Sequence, residues 1–346
     1  MFKKNIYILI ILIPICISLI FIEIDEIALQ ISIIILSLAI IYFSSDPIVY
    51  GINSIAYKIG VSEYTIGIIS SISSNLPEAI LATFMAFHPE LREIAILTIM
   101  LASAFNGLLL GILVVIITKE ERKCIVIPRE ELEWDIDIMR LTIAFSVLIF
   151  GLGIILNVFQ GSTRLPSEAS LFLLLAYIGY LYFMIKSSKR ENMRGDSFSY
   201  ICILELILGL AGLIVGAELI SSTSEKIIFE YDIHPVVTAT IIAFAGSVPE
   251  HGIAILGARK GYVKFGVSNL VSGIVQSIML IFPIISFFVE INLDGYILYQ
   301  FLAIAVTLWL VKKAIVDDGK LTLDEGIFIL LAHLMGIILF DELTRI

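Results

Sequence analysis

Ser73-Ser74-Asn75-Leu76-Pro77-Glu78 and Gly246-Ser247-Val248-Pro249-Glu250 each end on a carboxylate inside an otherwise apolar run, 64–88 and 234–258. An ionised side chain at the centre of a bilayer costs about 2.5 kcal/mol or more on insertion scales, so each glutamate needs a partner that offsets this. The two stretches are copies. The segment from Asp46 to Glu78 recurs from Glu218 to Glu250 at a constant offset of 172, with Ile48 opposite Ile220, Ile55 opposite Ile227, and Ile69 opposite Ile241. Length and acids persist while most side chains differ, which marks a diverged internal duplication.

The rest of the chain is built for lipid. Its 346 residues are 59% hydrophobic and 16% charged, with a mean hydropathy of +1.03, a balance foreign to a soluble domain of this length. Apolar runs fall at 6–22, 28–57, 64–88, 93–117, 137–159, 168–186, 199–229, 234–258, 263–289, 297–315 and 323–340. Each is long enough to cross a roughly 30 Å hydrocarbon core as a helix rising about 1.5 Å per residue. With a cytoplasmic amino terminus, only Arg92, Arg164, Lys226 and Arg345 of the 22 basic residues fall on the far side, as the positive-inside rule requires. The net charge of -10 gives no support to a nucleic-acid partner. The run 6–22 lacks a small-x-small cleavage site and meets Glu23, Asp25 and Glu26, so it is expected to remain as a helix. Cys16, Cys124 and Cys202 follow no metal or disulfide spacing and are expected as free thiols.

Each copy holds five runs, an odd number, so the second is expected upside down relative to the first. The predicted fold class is an all-α polytopic membrane protein with two inverted five-helix repeats and one amino-terminal transmembrane helix, oriented N-in and C-out. The boundaries are 1–26 for the extra helix, 27–198 for the first repeat and 199–346 for the second.

Inversion is expected to bring Glu78 and Glu250 toward one midplane, where a divalent cation would satisfy both. Calcium takes about six to eight oxygen ligands from carboxylates, carbonyls and hydroxyls. Proline before each glutamate has no N–H to give, which releases the carbonyl of an earlier residue as a neutral ligand. Ser73, Ser74, Asn75 and Ser247 are candidate lining residues, although small polar side chains also serve helix packing. In the following helices Ser103, Asn106, Asn269, Ser272, Gln276 and Ser277 interrupt apolar sequence. Asn106 lies 28 residues beyond Glu78 and Gln276 lies 26 beyond Glu250, so each can return to similar depth and offer an amide oxygen. Asp46 and Glu218, inside the first helix of each repeat, line an ion path or bond a broken helix. His251 adjoins Glu250 but points about 100° away around a helix, which suits a modulating role.

At these residues the sequence resembles the calcium/cation antiporter superfamily, over about residues 28–340. Ser45-Asp46 through Val61-Ser62 to Leu76-Pro77-Glu78, with Val215-Gly216-Ala217-Glu218-Leu219 and Gly246 to Glu250, is similar to the sodium/calcium exchanger pattern. Glu250-His251, Ser272-Gly273-Ile274-Val275-Gln276 and Pro283 are similar to the calcium/proton exchangers. The resemblance implies two inverted five-helix repeats, with Glu78 and Glu250 as calcium ligands that alternate between metal and counter-ion, and Asn106 and Gln276 as polar neighbours. Ser73-Ser74-Asn75 stands where sodium exchangers usually show Gly-Thr-Ser, Gly246 where a threonine is usual, and Gln276 or Ser277 where an acid is frequent. Hydroxyl and carboxylate ligands for sodium are therefore fewer or displaced, and the coupling ion is left as H+ or Na+.

The expected function is secondary active transport of Ca2+ against a monovalent counter-ion across a prokaryotic cell membrane. The alternative is a passive cation channel or a non-transporting relative of the same fold. No His-Glu-x-x-His and no Gly-rich phosphate loop is present, so no enzyme is expected, and no cofactor beyond the transported ions. The lipid bilayer is the expected surrounding; the sequence implies no protein partner.

Overall fold

The computed structural model describes residues 2–20, 26–59, 72–73, 75–121, 124–126, 133–161, 163–187, 200–231, 234, 237–244, 247, 255, 258, 263–317 and 319–344. Helices dominate: α1 (Phe2–Ile20), α2 (Ile27–Ile59), α3 (Leu76–Phe87), α4 (Arg92–Glu121), α5 (Glu133–Gln160), α6 (Ser167–Ser187) and α7 (Tyr200–Tyr231). The 237–244 segment is helical and is α8. Then follow α9 (Val263–Gln276), which continues through a π turn into Phe282–Ser286, α10 (Gly295–Asp317) and α11 (Leu323–Ile338). The fold class is the expected one, an all-α polytopic chain, and a short helix, Phe340–Thr344, follows α11 among the described residues. Among the described residues six segments are long and apolar enough to cross a membrane: Ile27–Ile52, Pro89–Lys119, Ile136–Gln160, Ile201–Ile228, Gly266–Ser286 and Gly295–Asp317.

The chain divides into two compact units, one of Met1–Ala95 with Leu181–Thr238, the other of Ile96–Tyr180 with Ala239–Ile346. In the first, α2 and α7 run antiparallel in close contact. A Cβ on Gly51 would fall 2.6 Å from Leu206 Cβ, and one on Gly216 2.7 Å from Ile40 Cγ2. Lipid tails are as apolar as leucine, so such helices associate by close packing of small residues rather than by escape from water. Glycine at these positions is the close packing. Serines on the same face, Ser37 and Ser44, donate to the carbonyls of Ile33 and Ile40 four residues back, which satisfies their hydroxyls without a partner helix. Against this pair α1 seats Leu9 and Cys16, completing a cluster with Ile33, Ile40 and Leu219.

In the second unit α4 is buried along most of its length, which follows from an apolar sequence with no polar face. Gly107 and Gly111 admit α11, with Leu330 lying on Gly111. The helix α5 packs along α10. Glu325 accepts the Thr322 N–H at 2.9 Å and closes the start of α11 as in a capping box. Loop strands β1 (Ile125–Val126) and β2 (Lys320–Leu321) pair antiparallel. Outward faces carry Phe159 and Phe172, exposed side chains suited to acyl chains.

Candidate functional site

Glu78 is placed by a helix start. Asn75, with φ -87° and ψ -1°, precedes α3, and the first intrahelical bond runs from the Ala79 N–H to the Asn75 carbonyl at 3.1 Å. Leu76, Pro77 and Glu78 are the first three residues of the helix, so the expectation that Glu78 lies well inside a continuous helix is corrected. Proline costs nothing there, because N–H groups of a first turn have no intrahelical acceptor. Ser73 and Asn75 are 2% and 3% exposed, and Glu78 is half-buried with its Oε2 shielded. Three oxygen-bearing side chains therefore gather within six residues of one helix start.

The far end of α3 is tied down. His88, which caps the helix, places Nδ1 2.9 Å from Glu225 Oε2 on α7. Asp46 is exposed and Glu218 half-buried, each on a continuous helix; α2 runs unbroken past Pro47.

The other candidates belong to the second unit. Asn106 and Ser103, one turn apart on α4, are fully buried, and neither amide atom of Asn106 nor Ser103 Oγ has a hydrogen-bond partner among the described residues. Such groups are rare and mark sites that await a ligand, an ion or water. Gln276, also buried, donates from Nε2 to Ser272 Oγ at 2.8 Å. Immediately after it the helix widens into a π turn, Ser277–Ile281, closed by the Phe282 N–H on the Ser277 carbonyl. Pro283 has no N–H, and a register shift just before it accommodates the loss. Ser247 is fully buried. Ser74, Glu250 and His251 lie outside the described residues.

One polar group escaped the sequence reading. His333 is fully buried on α11, with Nε2 3.0 Å from Thr307 Oγ1 on α10 and its ring against Gly107. Its signal was a lone histidine in the apolar run 323–340, the same kind of signal that singled out the glutamates.

Comparison with known proteins follows the same lines. The sequence model of the family described as "Sodium/calcium exchanger protein" matches residues 29–186 and 201–340. An uncharacterized membrane protein of Methanocaldococcus jannaschii is 24% identical over 197 residues, 56% of this chain; the match spans 64% of that relative's length. The H+/Ca2+ exchanger CAX has a similar structure, with a TM-score of 0.73 and 16% identity over 100% of this chain and 94% of that one. The sodium-calcium exchanger NCX_Mj gives a TM-score of 0.61 and 21% identity over 90% and 99%. At these identities the likeness is one of fold.

Proposed function

Because this chain belongs to the sodium/calcium exchanger protein family, we propose that it is a secondary active transporter exchanging Ca2+ for H+ or Na+ by alternating access. The observation that carries the reading is the start of α3, where Glu78 stands in the first helical turn beside buried Ser73 and Asn75. A half-buried carboxylate at membrane depth needs a cation, and hydroxyl and amide oxygens supply neutral ligands that a hard divalent ion takes. Glu250, its repeat mate, is the second anionic ligand in this reading, and Ser74, Ser247, Asn106 and Gln276 are neutral ones.

Exchange follows from the cost of an empty site. Two carboxylates that share one ion cannot both stay ionised and unpaired in a low dielectric. Protons or sodium ions must replace calcium before the occluded protein reorients, which couples the two fluxes. The thinned set of hydroxyls, Ser73-Ser74-Asn75 and Gly246-Ser247, favours protons over sodium. The test is calcium uptake into proteoliposomes under an outward proton gradient, an outward sodium gradient or neither. Uptake driven by the proton gradient supports the reading, and uptake equal under all three conditions contradicts exchange.

A further inference from the structure

In the first unit α7 buries a carboxyl group that the transport reading does not use. Glu205 is 7% exposed, and its Oε2 is shielded, with no hydrogen-bond partner among the described residues. It lies four residues into the apolar span Ile201–Ile228, at the end that the positive-inside reading places in the cytoplasm. Its neighbours on the same helical face fix its surroundings. The carbonyl of Cys202, three residues earlier, lies 2.9 Å from where a Cβ on Gly51 would fall, and a Cβ on Gly209, four residues later, would fall 2.8 Å from Ile48 Cγ1. Both contacts are with α2, so Glu205 stands between them in a closely packed seam.

The titratable groups that face it are Tyr50 of α2 and Cys202 of α7. Ser54, one turn beyond Tyr50, gives its proton to the Tyr50 carbonyl at 2.8 Å. Asp46 and Lys58 of α2 are exposed. The helix α1, which seats Leu9 over Gly212, carries Lys3 and Lys4 at its start. The pair that joins His88 to α7, at Glu225, lies twenty residues further along. No salt bridge among the described residues includes Glu205. A buried carboxylate left unpaired is costly, and a carboxyl group in that position takes up a proton instead. A hard cation takes several oxygens beyond one carboxylate, whereas this seam offers a thiol, glycines and apolar side chains. We propose that Glu205 is a proton-binding site on the cytoplasmic side, separate from Glu78, and is held as the neutral acid at neutral pH. The bound proton keeps an unpaired charge out of the contact between α2 and α7.

The test is infrared spectroscopy of the full chain in detergent, parent against Glu205→Gln, whose amide has nearly the shape of the neutral acid. At neutral pH the difference spectrum is expected to contain the C=O stretch of one protonated carboxyl. That band is expected to survive added calcium and to vanish only on alkaline titration. A difference spectrum with carboxylate stretches and no protonated carboxyl at neutral pH would overturn the proposal, and so would loss of the band on adding calcium, which would join the proton to the calcium site. If the variant fails to elute as a monodisperse species, the parent is treated with dicyclohexylcarbodiimide, which adds to protonated carboxyls in apolar surroundings, and the adducts are located by mass spectrometry. Labelling of Glu205 is then expected to exceed that of exposed Glu168 severalfold and to fall as the pH is raised. Labelling no higher than at Glu168 would overturn the proposal. Neither readout needs transport, so failure here is distinguishable from failure of the exchanger reading.

Discussion

His88 Nδ1 and Glu225 Oε2 stand 2.9 Å apart, and this pair ties the end of α3, the helix that carries Glu78 in its first turn, to the last turns of α7. Both side chains are partly exposed, 25% and 31%, so the pair stabilises modestly, about 0.2–1 kcal/mol, and less as salt screens it. A double-mutant cycle with His88→Ala and Glu225→Ala, read by denaturant unfolding, is expected to give a coupling energy in that range that shrinks between low and high salt. Full additivity at low salt would show that the contact stabilises nothing.

Gly107→Ala probes the seat of α11. The added Cβ would fall 2.1 Å from His333 Nε2 and 2.3 Å from Cδ2, so the helices must part or the ring must turn. Overpacking of this kind costs about 1–3 kcal/mol. Thermal unfolding in detergent is expected to show a lowered midpoint, and Gly107→Ala combined with His333→Ala is expected to recover part of the loss. An unchanged midpoint in the single variant would mean that the contact yields freely.

Asn106 separates a ligand from a structural residue. A buried amide with no partner costs stability, whereas an apolar side chain of similar size does not. Asn106→Leu is therefore expected to leave the unfolding midpoint unchanged or raised, by an amount on the order of 1 kcal/mol, while calcium uptake falls. Loss of stability with uptake retained would assign Asn106 to packing.

Much of this architecture is legible in the sequence because lipid imposes a length on every helix. Sidedness is legible too. The contacts His88 with Glu225, Gln30 with Glu230, Arg164 with Glu290, and β1 with β2 each join segments that the positive-inside reading places on one side of the membrane. One missed or extra span would have broken this agreement. What hydropathy could not show is how the backbone behaves inside a run. The break before Leu76 and the π turn after Gln276 lie within runs that hydropathy reads as single spans, and each depends on a proline whose missing N–H can kink, break or shift a helix. The pairing of His333 with Thr307 was illegible for another reason: it joins two helices whose facing surfaces no single-helix pattern specifies.

Pro77→Ala tests the helix start. Alanine restores the N–H that proline lacks and relieves its clash with the preceding turn, which lets a helix run on into α3. Calcium uptake is expected to fall about tenfold, equivalent to ~1.4 kcal/mol in the barrier, with helical circular dichroism retained or slightly raised. Uptake at the wild-type rate would mean that the break contributes nothing to the ion's path.

The central claim, that Glu78 and its repeat mate Glu250 carry the ion, is tested most directly by radioactive calcium uptake into proteoliposomes with Glu78→Gln and Glu250→Gln. The amide keeps the size of the side chain and removes its charge. The account predicts gradient-driven uptake in the parent protein and none in either variant, each folded and monodisperse. Uptake that survives Glu78→Gln at the parent rate would contradict it.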